Sequence, residues 1–364
     1  MNILFVITGL GLGGAERQLC LLADRFAEEM HNVTIVALSG NAVITPARKD
    51  IKIYCLDMKK TVISFLSSLF KLRNIISDTK PDVVHSHMFH ANIITRMVRL
   101  ISGCNFNLIC TAHSKNEGGR FRMLAYRVTD HLCDINTNVS QEALEKFIEL
   151  KSFSSSKSFV NYNGIDTDVF NFSSEVRKIL RKKLCIEDEE IMILSVGRLT
   201  PAKDYPNLLD AFNLLPKHYK LVIIGEGEVR TVLEKKIKDY NLASRVKLLG
   251  SINEVQDYYS ACDLFVLSSA WEGFGLVVAE AMACQRIAVS TDAGGVKEVI
   301  GNNDFIVPVS NPKALANKII EIEGLTEERK CILQTNNRNH IINNFSIDSV
   351  VSKWLSMYRM KQDT

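Results

Sequence analysis

The stretch Ile3–Glu28 reads ILFVITGLGLGGAERQLCLLADRFAE, and it indicates the fold of the whole chain. Its first five residues, Ile3–Ile7, are all apolar, as in a strand that is buried on both faces of a sheet. Glycines follow. The segment Ala15–Glu28 then has a helical period, with one apolar face formed by Leu19, Leu22, Ala23 and Phe26. A buried strand, a glycine-rich turn and an amphipathic helix make one unit of an α/β protein.

The same unit recurs along the chain, where short apolar runs alternate with helix-period segments. The predicted strands are Ile3–Ile7, Val33–Leu38, Lys52–Leu56, Val83–His87, Asn107–Ala112, Ile135–Val139, Ser158–Tyr162, Ile191–Val196, Leu221–Gly225, Val246–Leu249, Leu264–Leu267, Ile287–Ser290 and Phe305–Val307. This pattern predicts an α/β fold with two Rossmann-like, doubly wound parallel sheets. Ligands of such sheets bind beyond the carboxyl ends of the strands, so we expect the site in a cleft where the two sheets face each other.

Length and composition limit the possible functions. The 364 residues, 46% of them hydrophobic, are enough for two domains with their own cores. A formal charge of +3 argues against a dedicated nucleic-acid binder. The nine cysteines include no C-x-x-C pair and favour reduced thiols in the cytoplasm. No basic segment precedes the first strand, and no apolar run approaches the roughly 18 residues that span a bilayer. We therefore expect a cytoplasmic protein, or at most a peripheral membrane protein.

The domain boundary is expected between Asp166 and Ile191. Residues 172–190 are polar and charged there, which is typical of a solvated helix or loop. We accordingly predict an N-terminal domain over 1–170 and a C-terminal domain over 171–345.

The glycine loop after the first strand leaves three interpretations open. Gly9-x-Gly11-x-x-Gly14 has the spacing of a dinucleotide fingerprint. The strand Val33–Leu38, however, is not followed by the acid that would hold a ribose, which disfavours nicotinamide or flavin. Glycine amides at a helix N-terminus also suit any other anion. A tight turn without a ligand is the third possibility.

Two cations and a set of glycines follow strands of the second half. Gly197 and Arg198 end the strand Ile191–Val196, and Lys203 comes soon after. Arginine offers a planar fork and lysine a point charge, a pair that suits two adjacent phosphates, although such pairs are often ordinary surface features. Gly225-Glu226-Gly227 forms a second turn at a strand end.

The most specific stretch is Glu272-Gly273-Phe274-Gly275-Leu276, which precedes a predicted helix Leu276–Ala283. Its glycines would expose backbone amides at a helix N-terminus, an anion site. Glu280 lies one turn into the helix, where a carboxylate can accept two hydroxyl groups of a ribose. Either acid alone would more often be solvent-facing.

Taken in order, these motifs resemble glycosyltransferase family four, whose members have the GT-B fold and retain anomeric configuration. The similarity covers essentially the whole chain. The matching motifs are Gly13-Gly14-Ala15-Glu16, His113, Asn163-Gly164-Ile165-Asp166, Gly197-Arg198 with Lys203, Gly225-Glu226-Gly227, and the E-x7-E pair Glu272 and Glu280.

The resemblance implies a role for each matching residue. The catalytic residues would be Arg198, Lys203, Glu272 and His113. Arg198 and Lys203 would hold the donor diphosphate, Glu272 would bond the donor sugar, and His113 would lie beside that sugar. Glu280 would hold the ribose. Further donor contacts would come from Gly13, Gly14, Gly197, Gly227, Phe274, Gly275 and Leu276. The segment 346–364 would return to the N-terminal domain as a final helix. Front-face attack through an ion pair needs a stabilised leaving group, which fixed cations and helix amides supply, so we expect no metal and no cofactor.

Two further patterns concern metal and acceptor. Asp166-Thr167-Asp168 spells D-x-D, which we interpret as structural because it follows the domain junction. His85, His87 and His90 lack a matching carboxylate or cysteine for zinc. We expect core or strand-end histidines, with His87 and Arg120 as candidate acceptor contacts.

Residues 58–76 mix apolar residues with Lys59, Lys60 and Lys71. They form either an ordinary packed helix or a peripheral contact with an anionic inner membrane. The latter suits the family, since similar enzymes extend polyprenyl-diphosphate-linked saccharides for bacterial O-antigen, capsule or exopolysaccharide.

The resemblance implies transfer of a hexose or N-acetylhexosamine from a nucleoside-diphosphate sugar. UDP is preferred over GDP because it is the commonest base among similar enzymes. Two alternatives remain: a GT-B sugar-nucleotide epimerase, and a non-catalytic protein that binds nucleotide sugars. Donor hydrolysis without acceptor, epimerisation of the free donor, or neither would distinguish the three.

Overall fold

A computed structural model gives the fold of this chain and describes residues 1–11, 13–115 and 117–360. The chain divides into two compact units. The first comprises Met1–Gly164 and the helix that begins at Ile347, and the second comprises Ile165–Ser346. The segment 165–170, which we predicted in the first domain, belongs to the second. The reason is that the amide of Ile165 donates to the carbonyl of Phe345 (2.8 Å).

The first unit alternates strands and helices. Its elements are β1 (Asn2–Ile7), α1 (Gly14–Glu28), β2 (Asn32–Ala37), β3 (Lys52–Cys55), α2 (Val62–Thr79), β4 (Val83–His87), α3 (Phe89–Ser102), β5 (Asn107–Ala112), α4 (Arg120–Thr129), β6 (Ile135–Asn138), α5 (Gln141–Glu149) and β7 (Ser158–Val160). The seven strands form one parallel sheet in the order β3-β2-β1-β4-β5-β6-β7. The strand order therefore reverses between β1 and β4, where Ile7 pairs with His87.

The second unit repeats this architecture. Its elements are α6 (Ser174–Lys183), β8 (Ile191–Val196), α7 (Tyr205–Asn213), β9 (Tyr219–Ile224), α8 (Arg230–Asp239), β10 (Val246–Leu248), α9 (Gln256–Ala261), β11 (Leu264–Leu267), α10 (Leu276–Ala283), β12 (Ile287–Thr291), α11 (Val296–Ile300), β13 (Ile306–Val307), α12 (Pro312–Glu323) and α13 (Glu327–Phe345). The parallel sheet has the order β10-β9-β8-β11-β12-β13 and reverses between β8 and β11.

The last helix, α14 (Ile347–Arg359), returns to the first unit. One face of it, with Val350, Val351 and Trp354, is buried in the core beside α1 and the sheet. The Tyr358 hydroxyl is 2.7 Å from Nδ1 of His85 in β4. The period of the buried positions is helical, so burial of this face is what holds the segment on the sheet.

We expected residues 172–190 to form a solvated helix or loop, but part of this charged segment is buried. It contains α6, whose Arg181 is buried and donates to the carboxylate of Asp263 (2.9 Å). Arg177 pairs with the same carboxylate. Two guanidinium groups that share one carboxylate fasten α6 to the sheet of the second unit. The nine cysteines are free, and five of them are buried.

Candidate functional site

The carboxyl edge of the second sheet collects the predicted donor residues. Gly197 and Arg198 follow β8, Gly227 lies in the loop after β9, and 272–275 joins β11 to α10. The strand order reverses between β8 and β11, and ligands of such sheets bind in the crevice outside the carboxyl ends of the strands at this point. The structure thus brings these residues to one edge of one sheet.

Lys203 and Glu272 form the central ion pair at this edge. Lys203 ends the short 3-10 helix Pro201–Lys203, and its side chain is only 18% exposed. Oε1 of Glu272, at 14% exposure, also accepts from the hydroxyl of Ser269 (2.6 Å). The backbone is held as well, since the amide of Glu272 donates to the carbonyl of Ala293 (2.7 Å). Both side chains are therefore fixed before any ligand arrives.

Arg198 is exposed, and no ion pair of its guanidinium occurs among the described residues. The backbone beside it is tightly packed: a Cβ on Gly225 would lie 1.9 Å from the carbonyl oxygen of Gly197. That same oxygen accepts from the buried Tyr205 hydroxyl (3.1 Å). Glycine is thus required where two strand-end loops meet, and Arg198 projects from a rigid base.

Helix α10 begins directly after Gly275, whose φ of 91° lies in the left-handed region. A Cβ there would lie 2.9 Å from Cγ2 of Val296. The Phe274 side chain is buried against Phe345 (ring centroids 5.6 Å apart). Phe274 therefore offers a ligand its backbone rather than its ring. Leu276 is the first helical residue, where the partial positive charge of the helix is concentrated.

Glu280 lies in the second turn of α10, half-buried, and accepts a hydrogen bond from the hydroxyl of Tyr259 (2.6 Å). Burial, and then the charge of Glu280, raises the pKa of Tyr259, which therefore stays a hydrogen-bond donor. Sequence reasoning missed Tyr259, Ser269 and Tyr205. The sequence pattern around these three residues does not indicate a site, because each is an ordinary polar residue of a core helix or strand end.

In the first unit, Gly13 caps α1 and Gly14 is its first residue. A Cβ on Gly13 would lie 2.3 Å from the Glu16 carboxylate, so a larger residue there would displace the Glu16 side chain. The amides at this helix start suit an anion. Leu12, within the same glycine loop, lies outside the described residues.

His113 follows β5, and its Nε2 is hydrogen-bonded to Nδ1 of His87 (3.0 Å). Burial lowers the pKa of His113 to about 4, so the imidazole is neutral at pH 7. The amide of His113 donates to Oε1 of Glu117 (2.9 Å), a contact that no sequence pattern pointed to. His87 is 1% exposed and lies behind His113, so its direct contact with an acceptor stays a prediction.

Arg120 opens α4 and is exposed. On the same helix Phe121 is 89% exposed. In α2 the apolar residues divide into two groups: Leu69 and Leu72 are buried in the core, whereas Ile63 and Phe70 are exposed. The segment 58–76 enters the helix only at Val62, and that helix is packed on the core while it also exposes apolar groups.

None of the helices in the described ranges is long and apolar enough to cross a bilayer.

The D-x-D sequence forms a local turn. Oδ1 of Asp166 accepts from the amides of Asp168 and Val169, both at 3.2 Å. This is the geometry of an aspartate that caps its own backbone. Among the residues that the structure describes, no three His, Cys, Asp or Glu side chains group as metal ligands.

Two family models match the chain, and together they cover most of it. Residues 12–169 match the model described as Glycosyltransferase Family 4. Residues 176–339 match the model described as Glycosyl transferases group 1.

Two relatives with named activities match this chain over most of their own length. A diphospho-undecaprenol 4-alpha-N-acetylgalactosaminyltransferase of Campylobacter jejuni is 29% identical over 333 residues, which are 85% of this chain and 86% of that protein. An Escherichia coli UDP-Gal:alpha-D-GlcNAc-diphosphoundecaprenol alpha-1,3-galactosyltransferase is 26% identical over 323 residues, 82% of this chain and 80% of the relative.

Solved structures show the same fold. Anabaena HepE, in complex with UDP and glucose, superposes with a TM-score of 0.85 at 22% identity, covering 99% of this chain and 100% of HepE. The ordered motifs, the two doubly wound sheets and the family models agree: the chain belongs to glycosyltransferase family four and is a glycosyltransferase with the GT-B fold.

Proposed function

We propose that this enzyme transfers a hexose or N-acetylhexosamine, with retention of configuration, from a UDP-sugar to a saccharide on a polyprenyl diphosphate. The observation that carries the proposal is the fixed Lys203–Glu272 pair at the crevice of the second sheet. In this proposal the lysine binds a donor phosphate, and the neighbouring carboxylate binds hydroxyl groups of the donor sugar.

The departing diphosphate is the group that most needs stabilisation in this reaction. The bond between C1 of the sugar and the diphosphate oxygen breaks, the acceptor oxygen bonds to C1, and the acceptor proton passes to the diphosphate. Arg198 and Lys203 are assigned to the negative charge that develops on the diphosphate. The amides around Gly275 and Leu276 add the positive end of α10. These groups supply the stabilisation without a metal or cofactor.

The carboxylates have separate roles in this proposal. Glu272, fixed by Lys203 and Ser269, accepts from hydroxyl groups of the donor sugar, with the backbone of Phe274 beside it. Glu280 binds the ribose, since its carboxylate already accepts one hydroxyl, that of Tyr259. Gly197 and Gly227 keep the floor of the site free of side chains.

The first unit contributes residues of its own. Gly13 and Gly14 are assigned to the diphosphate through amides at the start of α1, and His113 to the donor sugar. Because His113 is neutral, it acts there as a hydrogen-bond partner and not as a charge.

The acceptor class rests on the named relatives. Both act on saccharides linked to diphosphoundecaprenol. The surface of the first unit supports an acceptor at a membrane: α2 and α4 expose apolar residues, and Lys59, Lys60, Arg120 and Arg127 lie beside them. Basic and apolar groups together suit the cytoplasmic face of an anionic inner membrane.

A panel of sugar nucleotides tests the activity. The enzyme should slowly release UDP from one UDP-sugar without acceptor, and faster once a polyprenyl-diphosphate-linked saccharide is added. Interconversion of the free donor would instead indicate an epimerase. Donor binding without turnover, even with acceptors present, would indicate a non-catalytic protein.

A further inference from the structure

The first unit contains a small cavity that is lined in part by His113. Its polar lining includes Gln18 of α1, His87 at the end of β4 and Asn161 after β7. These three side chains are 4%, 1% and 1% exposed. They come from three separate elements and converge on one space.

Four polar atoms of these side chains have no hydrogen-bond partner among the described residues. They are Nε2 of Gln18, Nε2 of His87, and Nδ2 and Oδ1 of Asn161. A buried polar atom without a partner costs about 1–3 kcal/mol, so native proteins rarely leave several together. Their convergence on one cavity indicates a common bonding partner.

The size and chemistry of the cavity define this partner. Its volume is about 10 Å³, roughly the room that one water molecule needs, and a sugar ring does not fit. Gln18 Nε2 can only donate, whereas Asn161 offers both a donor and an acceptor. A water molecule that accepts from Gln18 has two protons to give, one to Oδ1 of Asn161 and one to Nε2 of His87.

Donation from the water to His87 would set the tautomers of two histidines. If Nε2 of His87 accepts from the water, the ring proton of His87 lies on Nδ1. That proton is then donated to Nε2 of His113, 3.0 Å away. His113 in turn carries its own proton on Nδ1, and that nitrogen becomes a donor.

We propose that Gln18 and Asn161 are positioning residues, which hold one buried water against His87 and thereby set His113 in its Nδ1-protonated form. The water links α1 and β7 to the strand end at β4. The consequence for catalysis rests on the role of His113 at the donor sugar that is proposed above. The tautomer itself does not depend on that role.

Nitrogen-15 correlation spectra of histidine-labelled protein above pH 7 test this inference. In the wild type, His87 and His113 should both show the Nδ1–H tautomer; single His→Asn variants assign the signals. Gln18→Met and Asn161→Leu, each close in size to the native residue, should convert the His113 signal to a mixture of tautomers. Asn107→Leu is the matched control, since Asn107 is a buried amide at the opposite end of β5 and should leave both signals unchanged.

An Nε2–H tautomer at His87 in the wild type would overturn the inference, and this result needs no variant to fold. An unchanged His113 signal in both folded variants would overturn it as well. Gln18→Met should also lower kcat/KM for the donor roughly tenfold, with a smaller effect on the binding of UDP. If the wild type hydrolyses no donor, the proposed function fails while the tautomer result still stands or falls by itself.

Discussion

The ammonium of Lys203 donates to Oε1 of Glu272, the same oxygen that accepts from Ser269. The pair joins the loop after β8 to the loop after β11, the two strands at which the sheet order reverses. One contact therefore holds together the cation that we propose for the diphosphate and the carboxylate that we propose for the sugar. The pair is mostly shielded from water, so its charges act more strongly than those of a surface pair.

Lys203→Met should reduce the rate of sugar transfer by about 10²–10³, because one fixed positive charge at the leaving diphosphate is lost. The unpaired Glu272 should lower the free energy of unfolding by about 1–3 kcal/mol. Steady-state kinetics and urea unfolding measure the two effects. Lys236→Met is the control, since Lys236 is a similarly buried lysine paired with Asp210 away from this edge. Equal effects of the two variants on the transfer rate would contradict the assignment of Lys203 to the donor site.

Gly275→Ala should weaken binding of UDP and destabilise the fold by about 1–3 kcal/mol. The added Cβ meets Val296 at 2.9 Å and forces φ away from 91°, which displaces the start of α10. Gly103→Ala separates backbone strain from this displacement. Gly103 has φ of 65°, and no atom lies within 4 Å of its added Cβ. It should cost about 1 kcal/mol and leave UDP binding unchanged. Titration calorimetry of UDP with both variants decides the matter.

Stability should fall as the pH drops from about 6.5 to 4. Burial lowers the pKa values of His85, His87 and His113, the last to about 4. Their stabilising contribution is complete above the unfolded value of about 6.5, because neither state binds the proton there. Below about pH 6.5 the unfolded chain binds protons that the buried imidazoles of the folded protein do not bind. The free energy of unfolding therefore falls, and the part of this decrease that is due to His113 is complete near pH 4, at roughly 3 kcal/mol.

Urea unfolding at pH 8, 7, 6 and 5 measures this dependence. His113→Asn should make the fall in stability with decreasing pH shallower, whereas His131→Asn, at an exposed histidine, should leave it unchanged. A slope between pH 6 and 5 that is the same in all three proteins would contradict the assignment.

The enzyme should float with vesicles that contain anionic lipid and not with neutral vesicles. Changing Lys59, Lys60 and Lys71 to glutamine should reduce the bound fraction severalfold, since each basic residue near such a surface contributes about 1 kcal/mol. The matched control changes three exposed lysines of the second unit to glutamine. These are Lys217, Lys235 and Lys238. If the control loses as much binding as the test variant, the attraction is a general effect of charge and not a property of the segment 58–76.

Sequence periodicity predicted the strands closely. Val83–His87, Asn107–Ala112 and Ile191–Val196 have the bounds that the structure gives. Strands of a parallel sheet are apolar almost throughout, so their ends are marked by the first polar or glycine residues. Residues 158–162 were predicted too long, because only Ser158–Val160 pairs with β6.

The supporting residues of the site could not be predicted in this way. Tyr259 reaches Glu280 from α9, and Glu117 reaches the amide of His113 from an irregular loop. The partners are brought together by the packing of the sheet and not by local spacing. The buried Arg181 shows the same limit, since its charge predicted solvent and its partner Asp263 lies 82 residues away in the chain.

Titration calorimetry of UDP, with the wild type and an Arg198→Ala/Lys203→Ala variant, tests the central claim most directly. We expect that the wild type binds UDP and that the variant binds it at least about 100-fold more weakly, because two charge-assisted contacts to the diphosphate are lost. Thermal unfolding should show that the variant remains folded. Equal affinity of the two folded proteins for UDP would contradict the assignment of the donor diphosphate to this edge of the second sheet.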